Sequence, residues 1–110
     1  MNIIHTQKAP AAIGPYSQGY AVNDLVFTSG QIPVDPATGA IPEGIAAQCE
    51  QSCKNVAAIL EAAGVSMDKV FKTTCFLADM DDFAAFNEVY AQYFVSKPAR
   101  SCVAVKTLPK

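Results

Sequence analysis

The stretch Pro98-Ala99-Arg100-Ser101-Cys102-Val103-Ala104-Val105 decides how this chain of 110 residues is organised. Its side chains alternate, which places Arg100 and Cys102 on one face of a predicted strand and Ser101 on the other. Pro98 suits the first position of a strand, because it has no N–H to donate to a ladder. Arg100 is the only arginine in the sequence. The stretch therefore predicts a rigid strand that presents a single guanidinium group.

A guanidinium group can pair with a carboxylate or phosphate through two parallel hydrogen bonds, which a lysine cannot do. The commoner role of an arginine is a surface salt bridge, and such a bridge contributes little to stability. From this stretch alone, both interpretations of Arg100 stay open.

The composition indicates a subunit of an oligomer. Apolar residues make up 51% of the chain and charged residues only 16%, where about 25% charged is typical. A domain of this size has much surface for its volume. We therefore expect other subunits to cover part of that surface.

Charge and hydropathy exclude several function classes. The net charge is −2 and the seven lysines are scattered, so nucleic acid is not expected as the main partner. No apolar run reaches the ~20 residues of a membrane span, and the first residues do not resemble a signal peptide. We expect a cytoplasmic protein without a membrane partner. Its cysteines, Cys49, Cys53, Cys75 and Cys102, are then expected to be reduced thiols.

The first half of the chain predicts strands and a hairpin. Strands are predicted at residues 2–6, 16–22 and 25–29, and Asn23-Asp24 suits the two-residue turn of a hairpin. Residues 32–43 form a loop, and Asp35-Pro36-Ala37-Thr38-Gly39 within it has the composition of a type I turn.

The second half predicts two amphipathic helices that alternate with strands. The first spans 44–63 and ends before Gly64, with its apolar stripe formed by Ile45, Cys49, Cys53, Val56, Leu60 and Ala63. Residues 70–77 form a strand that is apolar on both faces and is therefore expected to be central. The second helix begins after residues 79–82, capped by Asp79 or Asp81. Its buried face consists of Phe83, Phe86, Tyr90, Tyr93 and Phe94.

Asn87 lies on the apolar stripe of the second helix, four residues after Phe83 and three before Tyr90. A buried amide needs hydrogen-bond partners. It is either a structural amide with internal partners, or an amide that reaches a binding site.

The element order predicts a single α+β domain over residues 1–110. Each helix joins two strands and has one apolar stripe, so the simplest packing is one mixed sheet with both helices on one face. The opposite face of the sheet is then left bare, and we expect subunit contacts to cover it.

Few residues remain for chemistry. His5 is the only histidine, which disfavours a metal site, a Cys/His pair or a Ser/His/Asp set, and no cofactor motif is present. Cys49 and Cys53 are explained by core packing. The remaining candidates are those of a small-acid pocket, namely Tyr16, Ser29, Gly30, Asn87, Arg100 and Cys102.

Three motifs in order resemble the RidA (YjgF-like) family of reactive intermediate deaminases. They are Ile13-Gly14-Pro15-Tyr16-Ser17-Gln18-Gly19, Thr28-Ser29-Gly30-Gln31-Ile32-Pro33 and Pro98-Ala99-Arg100-Ser101-Cys102-Val103. Residues 51–56 and 72–77 fit the family as well, so the resemblance covers essentially the whole chain.

The resemblance implies a chorismate-mutase-like fold and a homotrimer whose sheets face inward, with sites between subunits. It implies hydrolysis of 2-imino and 2-enamine acids, such as 2-iminobutanoate and 2-iminopropanoate, to 2-keto acids and ammonia without a cofactor. It further implies that this activity protects pyridoxal-phosphate enzymes. Arg100 would bind the substrate carboxylate and Tyr16 would lie near the imine and its water. Ser29, Gly30, Asn87 and Cys102 match further pocket positions.

The sequence departs from the family pattern at its end. The family continues past the Leu-Pro equivalent into a last strand with a glutamate that activates water, and this strand is expected to be missing after Lys110. The activity of the 110-residue form is therefore in doubt. Two other functions stay open: a binding module for small keto acids without turnover, and an RNA-acting translation inhibitor or ribonuclease-like protein.

Overall fold

The structure is a computed structural model that describes residues 2–110. The strands and helices, in chain order, are β1 (Asn2–Ile4), β2 (Gly19–Val22), β3 (Leu25–Thr28), α1 (Ile45–Ala62), β4 (Lys72–Leu77), α2 (Phe83–Tyr93) and β5 (Ala99–Ala104). Short 3-10 helices at Met67–Lys69 and Met80–Asp82 precede β4 and α2. The predicted order of elements and the α+β class are confirmed.

The strands form two sheets, so the prediction of one sheet is wrong for the described residues. β1, β2 and β3 pair antiparallel, and β4 pairs with β5 in parallel. Within residues 2–110, β4 has β5 as its only neighbour, so its predicted central position is wrong too. Only one apolar face of β4 is buried within the subunit, where it packs against the helices. The other face is exposed at Phe76.

The hairpin between β2 and β3 forms where it was predicted. Val22 is opposite Leu25, and Asn23 adopts a φ of 52° that asparagine tolerates well. β2 begins at Gly19 rather than residue 16. A side chain at Gly19 would lie 2.8 Å from the Phe27 carbonyl oxygen, so glycine allows the close approach of the two strands.

Turn and cap residues act largely as predicted. The Asp35 carbonyl accepts hydrogen bonds from the N–H groups of Thr38 and Gly39, which closes the predicted turn. α1 ends at Ala62, and Gly64 just beyond it has a φ of 76°. The Val65 N–H donates to the Leu60 carbonyl in a Schellman arrangement. Of the two candidate caps before α2, Asp79 accepts from the Asp81 N–H at 2.8 Å.

α1 connects the two sheets by packing against both. Its Cys49 and Cys53 belong to a core cluster with β4 and α2, completed by Leu77, Phe86, Tyr90 and Phe94. Ile59 is fully buried against β1 and the following loop, in a second cluster with Ile4 and Ala9. Ile59 is absent from the predicted stripe, because α1 buries two faces instead of one. Neither helix of residues 2–110 is long and apolar enough to cross a membrane.

The sheet faces that point away from the helices carry exposed apolar side chains, as expected for the bare face. On the three-stranded sheet, Ile3, Tyr20 and Phe27 are register partners and form an exposed row. On the two-stranded sheet, Phe76 lies opposite Val103, and both are about half exposed. These residues form an outward apolar surface, which we call the outer face.

Replacing Ile59 tests the role of α1 in joining the sheets. Ile59→Ala removes a fully buried side chain, so we expect a loss of about 2–5 kcal/mol in the free energy of unfolding. Urea denaturation measures it. Glu61→Ala, an exposed change on the same helix, is the control and should stay within about 0.5 kcal/mol of the parent. Equal losses in both variants would contradict this role.

Candidate functional site

Arg100 lies on β5 against the aromatic face of α2. The central carbon of its guanidinium group is 4.8 Å from the ring centroid of Tyr90 and 5.3 Å from that of Phe83. Both distances are within the range of cation–π attraction. One guanidinium N–H group donates to Asn87 Oδ1 at 2.8 Å. Two aromatic rings and one amide therefore fix the direction of the fork.

Tyr90 is itself held by the strand next to β5. Its hydroxyl lies 2.6 Å from the hydroxyl of Thr73, and Thr73 is the β4 residue opposite Arg100 in the parallel ladder. Burial raises the pKa of Tyr90 above its ordinary value, so the phenol stays neutral at physiological pH. The ring also stacks on Phe94 at 4.5 Å. Residues of β4 and α2 thus act together to hold the guanidinium group of Arg100 on β5.

No carboxylate of residues 2–110 neutralises Arg100. The one ion pair of this part of the chain joins Lys54 and Glu50 on α1, at 4.0 Å. Arg100 is half-buried, and an unpaired cation removed from water is costly. Because Asn87 occupies a single donor of the five on a guanidinium group, the others can bind an anion.

Arg100 opens into a cavity of about 370 Å³ between α2 and the segment that precedes β5. We call it the arginine cavity. Asn87 and Tyr90 line it from α2, and Lys97 and Pro98 line it from the connecting segment. No aspartate or glutamate of the described chain is among its lining residues. The cavity therefore combines apolar walls with positive charge, which suits a small organic anion.

Tyr16 lies in a second cavity, of about 390 Å³, which we call the tyrosine cavity. Gly30 lines it too, and the space where a side chain at Gly30 would project is open. Tyr16 is 52% exposed, and its backbone N–H donates to the Gly14 carbonyl at 2.8 Å. Tyr16 is therefore available to a ligand from outside the subunit.

Buried polar contacts hold the loop that presents Tyr16. The Gln18 side-chain amide, which is almost fully buried, donates to the carbonyls of Thr6 and Pro10 and accepts from the Thr6 N–H. The Ser29 hydroxyl donates to the Ser17 carbonyl at 2.5 Å. Ser29 thus ties this loop to the end of β3, and its hydroxyl is already used within the subunit.

The structure divides the six predicted site residues. Tyr16 and Gly30 line the tyrosine cavity, and Asn87 and Arg100 line the arginine cavity. The two cavities share no lining residue. Ser29 and Cys102 line neither cavity in the single chain. Within one subunit, the predicted site residues that line a cavity therefore lie in two separate cavities.

The cysteines are arranged as packing residues. Cys102 lies opposite Cys75 in the β4–β5 ladder, and both pack against the main core cluster. Burial, together with the nearby Cys102, raises the pKa of Cys75 to about 11. The neighbouring Cys49 and burial raise the pKa of Cys53 well above the ordinary thiol value. Both thiols stay protonated near neutral pH and are poor nucleophiles. Within residues 2–110 no three potential ligands converge on a metal site.

Sequence reasoning missed the residues that orient Arg100. Phe83 and Tyr90 were predicted only as core residues, and Thr73 was not singled out. A signal was present, because Phe83, Asn87 and Tyr90 share one helix face and Asn87 was already suspected of reaching a site. The strand pairing that places Arg100 opposite Thr73 was not readable from the sequence.

Comparison with known proteins identifies the class. The family model described as Endoribonuclease L-PSP matches residues 6–110. The chain therefore belongs to this family, the RidA (YjgF-like) family.

Individual relatives agree closely. A 2-iminobutanoate/2-iminopropanoate deaminase of Salmonella typhimurium is 53% identical over 111 residues, which cover 97% of this chain and 87% of the relative. A RutC family protein of Haemophilus influenzae is 55% identical, over 98% of this chain and 87% of the relative. Escherichia coli TdcF, crystallised with bound serine, superimposes with a TM-score of 0.96 at 52% identity, over 100% of this chain and 90% of that chain.

Two substitutions at Tyr90 test how Arg100 is oriented. Tyr90→Leu removes the aromatic face under the guanidinium, and we expect the affinity for 2-oxobutanoate to fall about fivefold, as loss of a cation–π contact of about 1 kcal/mol predicts. Tyr90→Phe keeps the ring and should largely restore binding. Calorimetric titration measures both affinities. Equal weakening in the two variants, at matched thermal stability, would show that the ring face is not what orients Arg100.

Proposed function

We propose that this protein hydrolyses 2-imino acids, including 2-iminobutanoate and 2-iminopropanoate, to 2-keto acids and ammonia. The observation that carries the proposal is Arg100, a half-buried guanidinium held by Asn87 and two rings with no carboxylate partner in the described chain. A 2-imino acid offers the small carboxylate that such a group binds. Relatives that are 51–53% identical over nearly the whole chain are named for this reaction.

In the proposed complex, Arg100 binds the substrate carboxylate and Asn87 keeps the fork in place. A charge-assisted hydrogen bond of this kind contributes about 1.5–3 kcal/mol. The uncharged rings of Tyr90 and Phe83 attract the guanidinium group but do not neutralise its charge, so Arg100 can still bind the anion. The carboxylate anchor then sets where the adjacent imine carbon lies, which is the main requirement of a reaction that already proceeds in water.

We further propose that the complete site forms between subunits of a homotrimer whose sheets face inward. Arg100 and Asn87 would come from one subunit, and Tyr16 and Gly30 from its neighbour. Three observations support this arrangement: the half-sites lie in separate cavities, Tyr16 is exposed, and the outer face is apolar. Burial of such a face against a second copy is favourable by about 25 cal/mol per Å² of apolar area.

The proposed chemical step is hydrolysis of the C=N bond. Water adds to the carbon of the C=N bond, the nitrogen gains protons, and the C–N bond breaks to release ammonia and leave a C=O bond. Tyr16 would hold the water or the imine nitrogen by its hydroxyl. Among residues 2–110, Asp35 is the one side-chain carboxylate that lines either cavity, and it already accepts from the Ala37 N–H.

The other two functions make different demands. The family description names an endoribonuclease, but a protein that binds RNA needs a basic surface, and this chain has a net charge of −2. A binding module without turnover would use the same anion site. Release of keto acid from freshly generated 2-iminobutanoate separates it from the enzyme.

Arg100→Lys tests the carboxylate anchor. A lysine keeps the charge but loses the bidentate geometry and the planar contact with the rings. We expect kcat/KM for 2-iminobutanoate to fall roughly ten- to hundredfold, as loss of a charged hydrogen bond predicts. Thermal melting should show that the fold survives. A variant with the parent's kcat/KM would exclude Arg100 as the anchor.

Mixing two inactive variants tests the shared site. Arg100→Ala and Tyr16→Ala each remove one half-site, so each protein alone should be inactive. In randomly mixed trimers, about a quarter of the interfaces receive an intact Arg100 and an intact Tyr16, and about a quarter of the parent activity should return. Light scattering checks the oligomeric state of every sample. A monomer at micromolar concentration, or mixed trimers without activity, would contradict the proposed arrangement.

A further inference from the structure

The arginine cavity contains a second cation that the proposed reaction does not use. Lys97 lines the cavity with Arg100, and it too has no carboxylate within ion-pair distance among the described residues. The substrates in the relatives' names carry one carboxylate, which Arg100 would bind. Lys97 therefore adds positive charge beyond what a monoanionic substrate requires.

The backbone at Lys97 is unusual in a way that separates it from ordinary surface lysines. Its φ is 52°, and within residues 2–110 Asn23 is the other non-glycine residue with a positive φ. The left-handed region is unfavourable for most L-residues but tolerated by glycine and asparagine. The Lys97 N–H donates to the Phe94 carbonyl at 3.2 Å, and Pro98 follows directly. The chain thus has a lysine where asparagine or glycine would fit the backbone better.

The arginine cavity of one subunit has room for a longer substrate side chain than the relatives' names require. About 370 Å³ lies within the range of pockets that hold drug-sized ligands, whereas 2-iminobutanoate has four carbon atoms. The same cavity is also lined by the apolar residues Ala91, Phe94 and Val95. A short methylene chain can lie along these residues with an anionic group at each end.

We propose that Lys97 binds a second anionic group at the far end of the substrate, so that the protein accepts dianionic 2-imino acids, the imines of acidic amino acids. The inference rests on the proposed deaminase function and on Arg100 as the carboxylate anchor. The chemical step is unchanged: water adds to the C=N bond and ammonia leaves. Lys97 is a specificity residue and takes no part in the proton transfers.

Product binding tests this without depending on turnover. Wild-type protein and Lys97→Asn are titrated calorimetrically with 2-oxoglutarate, which is dianionic, and with 2-oxobutanoate, which is monoanionic. Lys97 is exposed, so the pair is partly screened, and we expect the affinity ratio of dianion to monoanion to fall about three- to tenfold in the variant. The difference should shrink as ionic strength rises. Because asparagine suits a positive φ, the variant should fold at least as stably.

Lys69→Asn is the matched control, since it removes an equal charge from an exposed position that lines neither cavity. An affinity ratio that is the same in wild-type protein and Lys97→Asn, or that falls equally in Lys69→Asn, would overturn the proposal. A parallel assay compares kcat/KM for 2-iminoglutarate and 2-iminobutanoate. Absent turnover of both imines with an intact difference in binding would refute the deaminase function and leave the role of Lys97 standing. Normal turnover with an unchanged affinity ratio in Lys97→Asn would refute the role of Lys97 and leave the deaminase function standing.

Discussion

The unpaired guanidinium of Arg100 is the constraint on which the site depends. A half-buried cation without a carboxylate partner is unfavourable unless other groups compensate for lost hydration. Asn87 and the rings of Tyr90 and Phe83 supply that compensation from α2, and Thr73 secures Tyr90 from β4. The compensation is incomplete because no carboxylate of residues 2–110 pairs with Arg100, and this is why we propose that an anionic ligand binds there. The parallel pairing of β4 with β5 places Thr73 beside Arg100.

α1 holds together the two sheets, which are not joined by strand pairing in the described chain. Cys49 and Cys53 pack toward β4 and α2, and Ile59 packs toward β1. The outer face of both sheets remains apolar. A chain with 16% charged residues has little polar surface with which to cover such a face, and this supports the proposed association of copies. The proposed position of the site between subunits follows from the same surface.

Much of the local structure was predictable because it depends on short-range interactions. The turn at Asn23 and the helix end at Gly64 each require a residue that tolerates a positive φ, and the sequence supplies one at each place. The stripe of α2 was readable at helical spacing. The single sheet and the central β4 were wrong, since pairing between distant strands leaves no periodic signal. Ile59 was missed because a helix that packs on two surfaces does not keep to one stripe.

By itself the sequence determined the element order, the family and the identity of the single guanidinium, because residue type, spacing and turn chemistry are local properties. It also singled out Tyr16, Ser29, Gly30, Asn87 and Cys102 through the resemblance. The tertiary structure alone decided which of them meet. It brought Asn87 to Arg100, used the Ser29 hydroxyl inside the subunit, and left Tyr16 in a separate cavity. Contacts across strands and helices depend on how the whole chain packs, and that information is distributed over residues far apart in the sequence.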